Sequence, residues 1–363
     1  MQSCHASVYF INLYPYRIAF KNIMAKTGVL LVNLGTPDSP SVADVRKYLR
    51  EFLMDRRVID IPFLSRFFLV NLIIAPFRGP KSAKIYKELW TDRGSPLKFY
   101  GHEVEALLQT ALGSDYKVIL AMRYQNPSIK VALDQFKNSG IHKLVVLPMF
   151  PQYASASTGS VYEAVMDEIK NWELIPELNF IDSYPTEPDV IKAFAEIGKT
   201  YMVAKNYDHY VFTYHGLPER QITKSDCTGK CLQDITCCDT LHDHNRLCYR
   251  AQCFATTRAL VKALEIPEGK YSVTFQSRLG RDPWIKPYTD FLIKDLPSMG
   301  KKNVLAFVPS FVADCLETTI EVGEEYKELF MEHGGETWDM VPSLNSHPLW
   351  VNALKNMAIK YSK

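Results

Sequence analysis

Short apolar runs alternate with amphipathic stretches along most of this chain. The strand candidates are the runs at 28–34, 116–122, 143–149, 178–182, 209–213, 271–275 and 303–308, most of them apolar nearly throughout, without the in–out alternation of a half-exposed strand. Strands of that kind are buried on both faces, as in parallel sheets covered by helices. Between them, 41–54, 80–90, 98–112, 127–138, 158–170, 187–203, 250–264, 286–296 and 314–333 carry apolar residues at helical spacing. Strand and helix in alternation predict an α/β fold. The rhythm restarts near residue 185, which predicts two Rossmann-like domains with parallel sheets, 24–185 and 186–345, and a ligand cleft between them. A last helix at 347–361, within a terminal segment 346–363, is expected to cross back over the first half.

Residues 1–23 lack the charged start, apolar stretch and small-residue cleavage site of a secretion signal. Met24-Ala25-Lys26 directly precedes the first strand, so 1–23 read as an extension outside the fold. No apolar stretch reaches the roughly 20 residues that a membrane span needs. The nearest, Phe67 to Phe77, contains Asn71 and breaks at Pro76, and it predicts a buried helix. A doubly wound fold invites a nucleotide, yet no strand leads into G-x-G-x-x-G. Gly198-Lys199-Thr200 has Ala193 where a P-loop requires glycine, and it follows a helical pattern. ATP and GTP are therefore excluded as cofactors.

Apolar residues at 47% and charged residues at 23% describe an ordinary globular chain, and 363 residues suffice for two domains. A net charge of +2 without a basic run excludes a nucleic-acid binder. The 20 Tyr and 19 Phe suit either an aromatic core or a flat apolar ligand.

Three features carry candidate chemistry. His215 stands where the strand Val211–Tyr214 runs into Gly216-Leu217-Pro218, at the carboxyl end where open α/β sheets place ligand groups. Such a histidine reads equally as a turn residue satisfied by backbone. Glu317, Glu321 and Glu325 recur every fourth residue, so they share one helix face. That stripe is either a solvated acidic surface or a column of hard oxygen ligands that passes a divalent cation or protons. Finally, Cys227, Cys231, Cys237, Cys238, Cys248 and Cys253 crowd into one window, 225–253, that also holds His242 and His244. In a reducing cytoplasm such thiols read as a [2Fe–2S] cluster, a zinc site or unligated cysteines. Their spacing fits neither a zinc ribbon nor a plant-type ferredoxin, and it leaves the three readings open.

From Thr27 to its C-terminus the chain resembles the ferrochelatases, which insert ferrous iron into a porphyrin to make haem. The resemblance rests on Thr27–Pro37, Gly94-Ser95-Pro96-Leu97, Met122-Arg123-Tyr124, Pro151–Ser160, Thr213–Arg220, Gln276–Gly280, Pro283-Trp284, Ala313–Glu317 and Ser343-Leu344-Asn345, in this order. It implies a chelatase-like pair of domains and a lyase that converts protoporphyrin IX and Fe2+ into protohaem and two protons, ending haem biosynthesis. His215 and Glu317 fall on the family's active-site histidine and glutamate, which makes both candidate contacts of the iron. Asp314 joins them as a third catalytic candidate, and Glu321 and Glu325 extend an acidic path. Asn33, Arg123, Tyr124, Tyr153, Ser155, Ser157 and Trp284 are the matched positions that would hold the macrocycle. The region 49–78 would form an apolar lip over the porphyrin and rest on the inner face of a membrane, in a protein otherwise cytoplasmic. No cofactor is needed for the reaction. Some ferrochelatases carry a [2Fe–2S] cluster, although the internal cysteines here differ from the C-terminal set of animal members. Coproporphyrin or another tetrapyrrole as substrate, a non-catalytic tetrapyrrole carrier, and a metal-sensing protein built on the cysteine loop are the competing readings.

Overall fold

The computed structural model describes residues 27–233, 236–280 and 282–363; the extension 1–23 lies outside them. Eight strands form two four-stranded parallel sheets among the described residues. The first contains β1 (Thr27–Gly35), β2 (Tyr116–Tyr124), β3 (Lys143–Pro148) and β4 (Glu177–Phe180) in the order β2-β1-β3-β4. The second contains β5 (His209–His215), β6 (Tyr271–Gln276), β7 (Asn303–Phe307) and β8 (Thr337–Met340) in the order β6-β5-β7-β8. The two halves thus repeat one winding. Val29 to Val32 of β1 and Val304 to Ala306 of β7 are wholly buried, as their unbroken apolar runs require.

The helices are α1 (Val42–Met54), α2 (Phe63–Phe68), α3 (Ala75–Leu89), α4 (Pro96–Leu112), α5 (Ile129–Lys137), α6 (Ser160–Ile169) and α7 (Pro188–Ala204), then α8 (Glu219–Ser225), α9 (Tyr249–Ala263), α10 (Thr289–Asp295), α11 (Tyr326–Glu332) and α12 (Pro348–Tyr361). Three stretches are wound as π-helix: Leu69–Ile74, Ser155–Gly159 and Glu317–Glu325. Helix α12 packs on α4 and α7, and Ser362 just beyond it bonds the Tyr116 hydroxyl of β2 at 2.9 Å. Gly198 lies inside α7, where a Cβ would come within 2.6 Å of Phe307. It is a packing glycine between helix and sheet.

The run Phe67–Phe77 is helical, but it is not buried as its composition predicts. Phe63, Leu64, Phe68, Leu72, Ile73 and Phe77 are exposed, while Arg66 is turned inward. The Arg66 Nη1 donates to the carbonyls of Ile59 and Ile61 at 3.0 and 2.9 Å, which anchors the guanidinium inward and faces the apolar side outward, while its buried Nε has no partner. No helix among the described residues is long and apolar enough to cross a membrane.

In both sheets the chain switches sides between the first strand and its third. The carboxyl ends flanking those two points are where such sheets take their ligands. His215 closes β5, Gln276 closes β6, Arg123 and Tyr124 close β2, and Glu317 follows β7.

Candidate active site

His215 is half-buried, and its Nδ1 lies 2.7 Å from the Gly216 carbonyl oxygen. A carbonyl only accepts, so Nδ1 carries the hydrogen, and in a neutral ring Nε2 is the nitrogen with the free lone pair. The Tyr249 hydroxyl donates to the His215 carbonyl at 2.8 Å. The loop beyond is zipped antiparallel to a second loop: Glu219 N donates to Pro283 O and Ile285 N to Leu217 O, both at 2.9 Å. That pairing holds the Trp284 ring 6.5 Å from the imidazole, with Phe311 at the same distance. Gly216 is required here, because a Cβ would stand 2.8 Å from the Gln276 carbonyl oxygen and 3.1 Å from Trp284.

The glutamates lie on the π-helical segment Glu317–Glu325. Glu321 is half-buried and the most heavily engaged of them. Its Oε2 accepts from Ser277 Oγ and, at 3.4 Å, from Gln276 Nε2, while Tyr326 donates to Oε1 at 3.0 Å. The Gln276 amide is oriented by Thr213, whose hydroxyl donates to its Oε1 at 2.9 Å. Burial pushes the Glu321 carboxyl above its ordinary range and the charge of Glu317 adds to this, against the Ser277 and Tyr326 hydrogen bonds and the nearby His215 imidazole. Glu317 is approached from the first half by two buried phenols, Tyr86 and Tyr48. Burial raises both, and the Glu317 charge raises them further. Glu325 is exposed. Asp314 precedes the helix, and both its oxygens are engaged: Oδ1 accepts Ser343 N at 3.0 Å and Oδ2 accepts Asn345 Nδ2 at 2.7 Å. It thereby ties the Ser343-Leu344-Asn345 turn to the glutamate helix.

The strand ends of the first half converge on Asp55, whose side chain is only 6% exposed. Its Oδ2 accepts from Arg123 Nη2 at 2.8 Å, Tyr124 at 2.9 Å and Ser160 at 2.5 Å, and its Oδ1 accepts Arg57 N at 2.7 Å. Burial alone would raise this carboxyl, but the four donors hold it below its ordinary range. Arg123 also gives its Nε to Ser160. Tyr124 is fully buried against Phe52 and presents no surface. Asn33 is likewise buried, its Nδ2 without a partner. Ser155 accepts from Arg57 at 2.9 Å, and Ser157 lies on the same π-helical turn. The Tyr153 amide donates to Gln252 of α9 at 2.6 Å, which binds this loop to the second half.

The cysteine loop separates the six thiols. Cys227 is exposed and Cys253 is buried in the core. Cys231, Cys237, Cys238 and Cys248 form one patch, with the Cys237 and Cys238 sulfurs 3.6 Å apart. Burial and the neighbouring Cys237 push the Cys231 thiol up to about 11, and the bond between Cys238 and Cys248 raises the former while lowering the latter. The four donors are the soft set that iron–sulfur and zinc sites use. Among the described residues they are not drawn into a ready-made metal site.

Sequence reasoning missed Gln276, Ser277 and Tyr326 as partners of Glu321, and Tyr48 and Tyr86 as neighbours of Glu317. The first two lie inside a quoted motif, Gln276–Gly280, but amide and hydroxyl residues announce no chemistry alone. The phenols sit on apolar helix faces and read as core.

Residues 26–361 match the Ferrochelatase family model. A ferrochelatase of Legionella pneumophila (strain Lens) is 46% identical over 332 residues, covering 92% of this chain and 98% of that one. A ferrochelatase of Coxiella burnetii (strain Dugway 5J108-111) is 43% identical over 335 residues, covering 92% and 94%. The sirohydrochlorin chelatase SirB from Bacillus subtilis subspecies spizizenii, solved in complex with cobalt, superposes with a TM-score of 0.51 at 12% identity, over 93% of this chain and 95% of that one. That last likeness is one of fold alone. The motifs, the two repeated sheets and the family match together place this chain in the ferrochelatase family.

Proposed function

We propose that this enzyme inserts ferrous iron into protoporphyrin IX, with His215 as the first proton acceptor and Glu317 and Glu321 as the carboxylates beside it. The reaction removes two pyrrole N–H protons and forms four iron–nitrogen contacts, with no change of oxidation state. A base therefore has to take protons from the ring interior and pass them on. The observation that carries this reading is the His215 tautomer: Nδ1–H is spent on Gly216 O, so Nε2 is the accepting atom. Glu321, whose carboxyl is raised by burial and which feels the imidazole, is suited to take the proton next. Glu317 leads the acidic column inward from Glu325 and, with His215, meets Fe2+ as it sheds water. Asp314 acts by fixing the helix start against Asn345.

The macrocycle stacks on Trp284 and Tyr153. Arg123, Ser155 and Ser157 supply polar contacts at its rim, and Asn33 and Tyr124 support that wall from behind. The exposed apolar face of 63–77 forms the lip and touches a membrane surface from the cytoplasmic side. Cys231, Cys237, Cys238 and Cys248 would hold a [2Fe–2S] cluster, which would add a structural or regulatory group, since the insertion is not itself a redox reaction.

Anaerobic turnover with Fe2+ and either protoporphyrin IX or coproporphyrin tests the assignment, with His215→Ala and Glu317→Gln alongside and the visible spectrum recorded before substrate is added. Loss of turnover in both variants with porphyrin binding retained is expected. Binding without turnover by the unaltered protein would leave only the carrier reading, and a resting spectrum without charge-transfer bands would remove the cluster.

A further inference from the structure

We infer that Arg220 is a positioning residue for porphyrin binding, gripping Asp60 and Asp282 so that the wall carrying His215 and Trp284 is set at a fixed distance from the lip. The inference rests on the reading of His215 and Trp284 given above. Arg220 lies at the start of α8, directly after the loop 215–219. Its Nε donates to Asp60 Oδ1 at 2.9 Å and its Nη2 reaches the same oxygen at 2.7 Å. Its Nη1 bonds Asp282, next to the Pro283-Trp284-Ile285 strand that zips onto 217–219. Lys224 takes the other Asp60 oxygen at 2.9 Å, and Gln221 reaches the Val58 carbonyl at 3.3 Å.

The first half grips the same point. Asp60 sits between Ile59 and Ile61, the two carbonyls bound by the inward-facing Arg66 of the lip helix α2. One polar chain therefore runs from the lip through Arg66, the 59–61 loop, Asp60 and Arg220 to both loops of the His215 wall. Ordinary surface ion pairs contribute little, but the Asp60 side chain is only 13% exposed and has two cations on it. A planar macrocycle has to touch its stacking ring and the lip together, so its affinity depends on their separation.

The test uses the full chain with Arg220→Ala, Arg220→Lys, Asp60→Asn and the double variant Arg220→Ala/Asp60→Asn. Protoporphyrin IX affinity is read by fluorescence titration without iron. The KM of each substrate comes from anaerobic turnover, and Tm from calorimetry. Arg220→Ala and Asp60→Asn are each expected to weaken porphyrin binding about threefold to tenfold, and the double variant no further, because both break one device. Arg220→Lys, which cannot fork between two carboxylates, behaves like the alanine variant. Unchanged porphyrin affinity in folded Arg220→Ala, or single effects that multiply in the double variant, would overturn the inference. Should Arg220→Ala not fold, Arg220→Lys and Asp60→Asn carry the same comparison. The titration involves no chemistry, so a His215→Ala protein that still turns over would defeat the proton-acceptor reading and leave this one untouched.

Discussion

Asp55→Ala is expected to destabilise the first half severely, because it removes a buried carboxylate with four donors on it. The carboxylate joins β2, α6 and the segment after α1 by accepting from Arg123, Tyr124, Ser160 and the Arg57 amide. Removing it leaves the Arg123 guanidinium, whose side chain is 20% exposed, facing no anion, and takes from the buried Tyr124 phenol one of its two partners, leaving Ser160. Breaking one partner of a buried ion pair costs about 3–5 kcal/mol. A chain of this length loses about 2 °C of Tm per kcal/mol, so a fall of about 6–10 °C is expected at pH 7. The sign with pH follows from the lowered carboxyl: its contribution is present above the unfolded value near 4 and is lost as pH falls through the folded one. Calorimetry of both proteins from pH 7 to pH 3 checks this. A Tm difference under about 2 °C at pH 7, or one that widens on acidification, would refute the account of Asp55 as an ionised hub.

Three further outcomes follow from single sites. Glu321 has a raised carboxyl, whose stabilisation is present below about 4.3 and lost as pH rises through the folded value; Glu321→Gln should therefore raise Tm at pH 8, leave it unchanged at pH 4, and slow turnover. His209 is buried with Nδ1 unpartnered, and burial next to Lys301 pushes it down to about 4. Keeping it neutral costs the fold about 3 kcal/mol as pH falls from 6.5 to 4, so His209→Gln should flatten the stability profile in that window, as urea midpoints will show. Gly216→Ala should displace the His215 loop from β6, cutting kcat about tenfold or more while the protein still folds, because its Cβ meets backbone rather than a movable side chain.

The fold was legible because parallel strands buried on both faces leave continuous apolar runs, as in β1, β3 and β7, while β4 and β6 carry interleaved polar residues yet keep enough apolar ones to be read. The exception, β8, is four residues long and includes Asp339, whose carboxylate bonds Lys205 and Tyr207 at the sheet edge, so the run is broken by a polar residue. Helix α8 is seven residues of mostly polar side chains after Pro218, too short for periodicity to show. The lip misled for a different reason. Composition measures how apolar a helix is, not which side it turns outward, and here the inward position is filled by Arg66, held by Nη1 on two carbonyls.

The glutamate stripe shows where sequence spacing stops short of geometry. In an α-helix, residues four apart advance by about 40° per step; in a π-helix, with about 4.4 residues per turn, they fall back by about 30°. Either winding keeps Glu317, Glu321 and Glu325 on one side, so the face was read correctly from α-helical spacing. The hand of the drift is opposite, and it decides which glutamate goes under cover. In the observed winding Glu321 reaches Ser277, Gln276 and Tyr326, and Glu325 is left in solvent. From Glu325 to Glu321 the stripe thus passes from an exposed carboxylate to a covered one. The same grading explains why Glu321, not Glu325, carries the raised carboxyl beside His215. The wide turn therefore sets which partners Glu321 meets, because an α-helical turn would carry the second glutamate around the opposite side of the first.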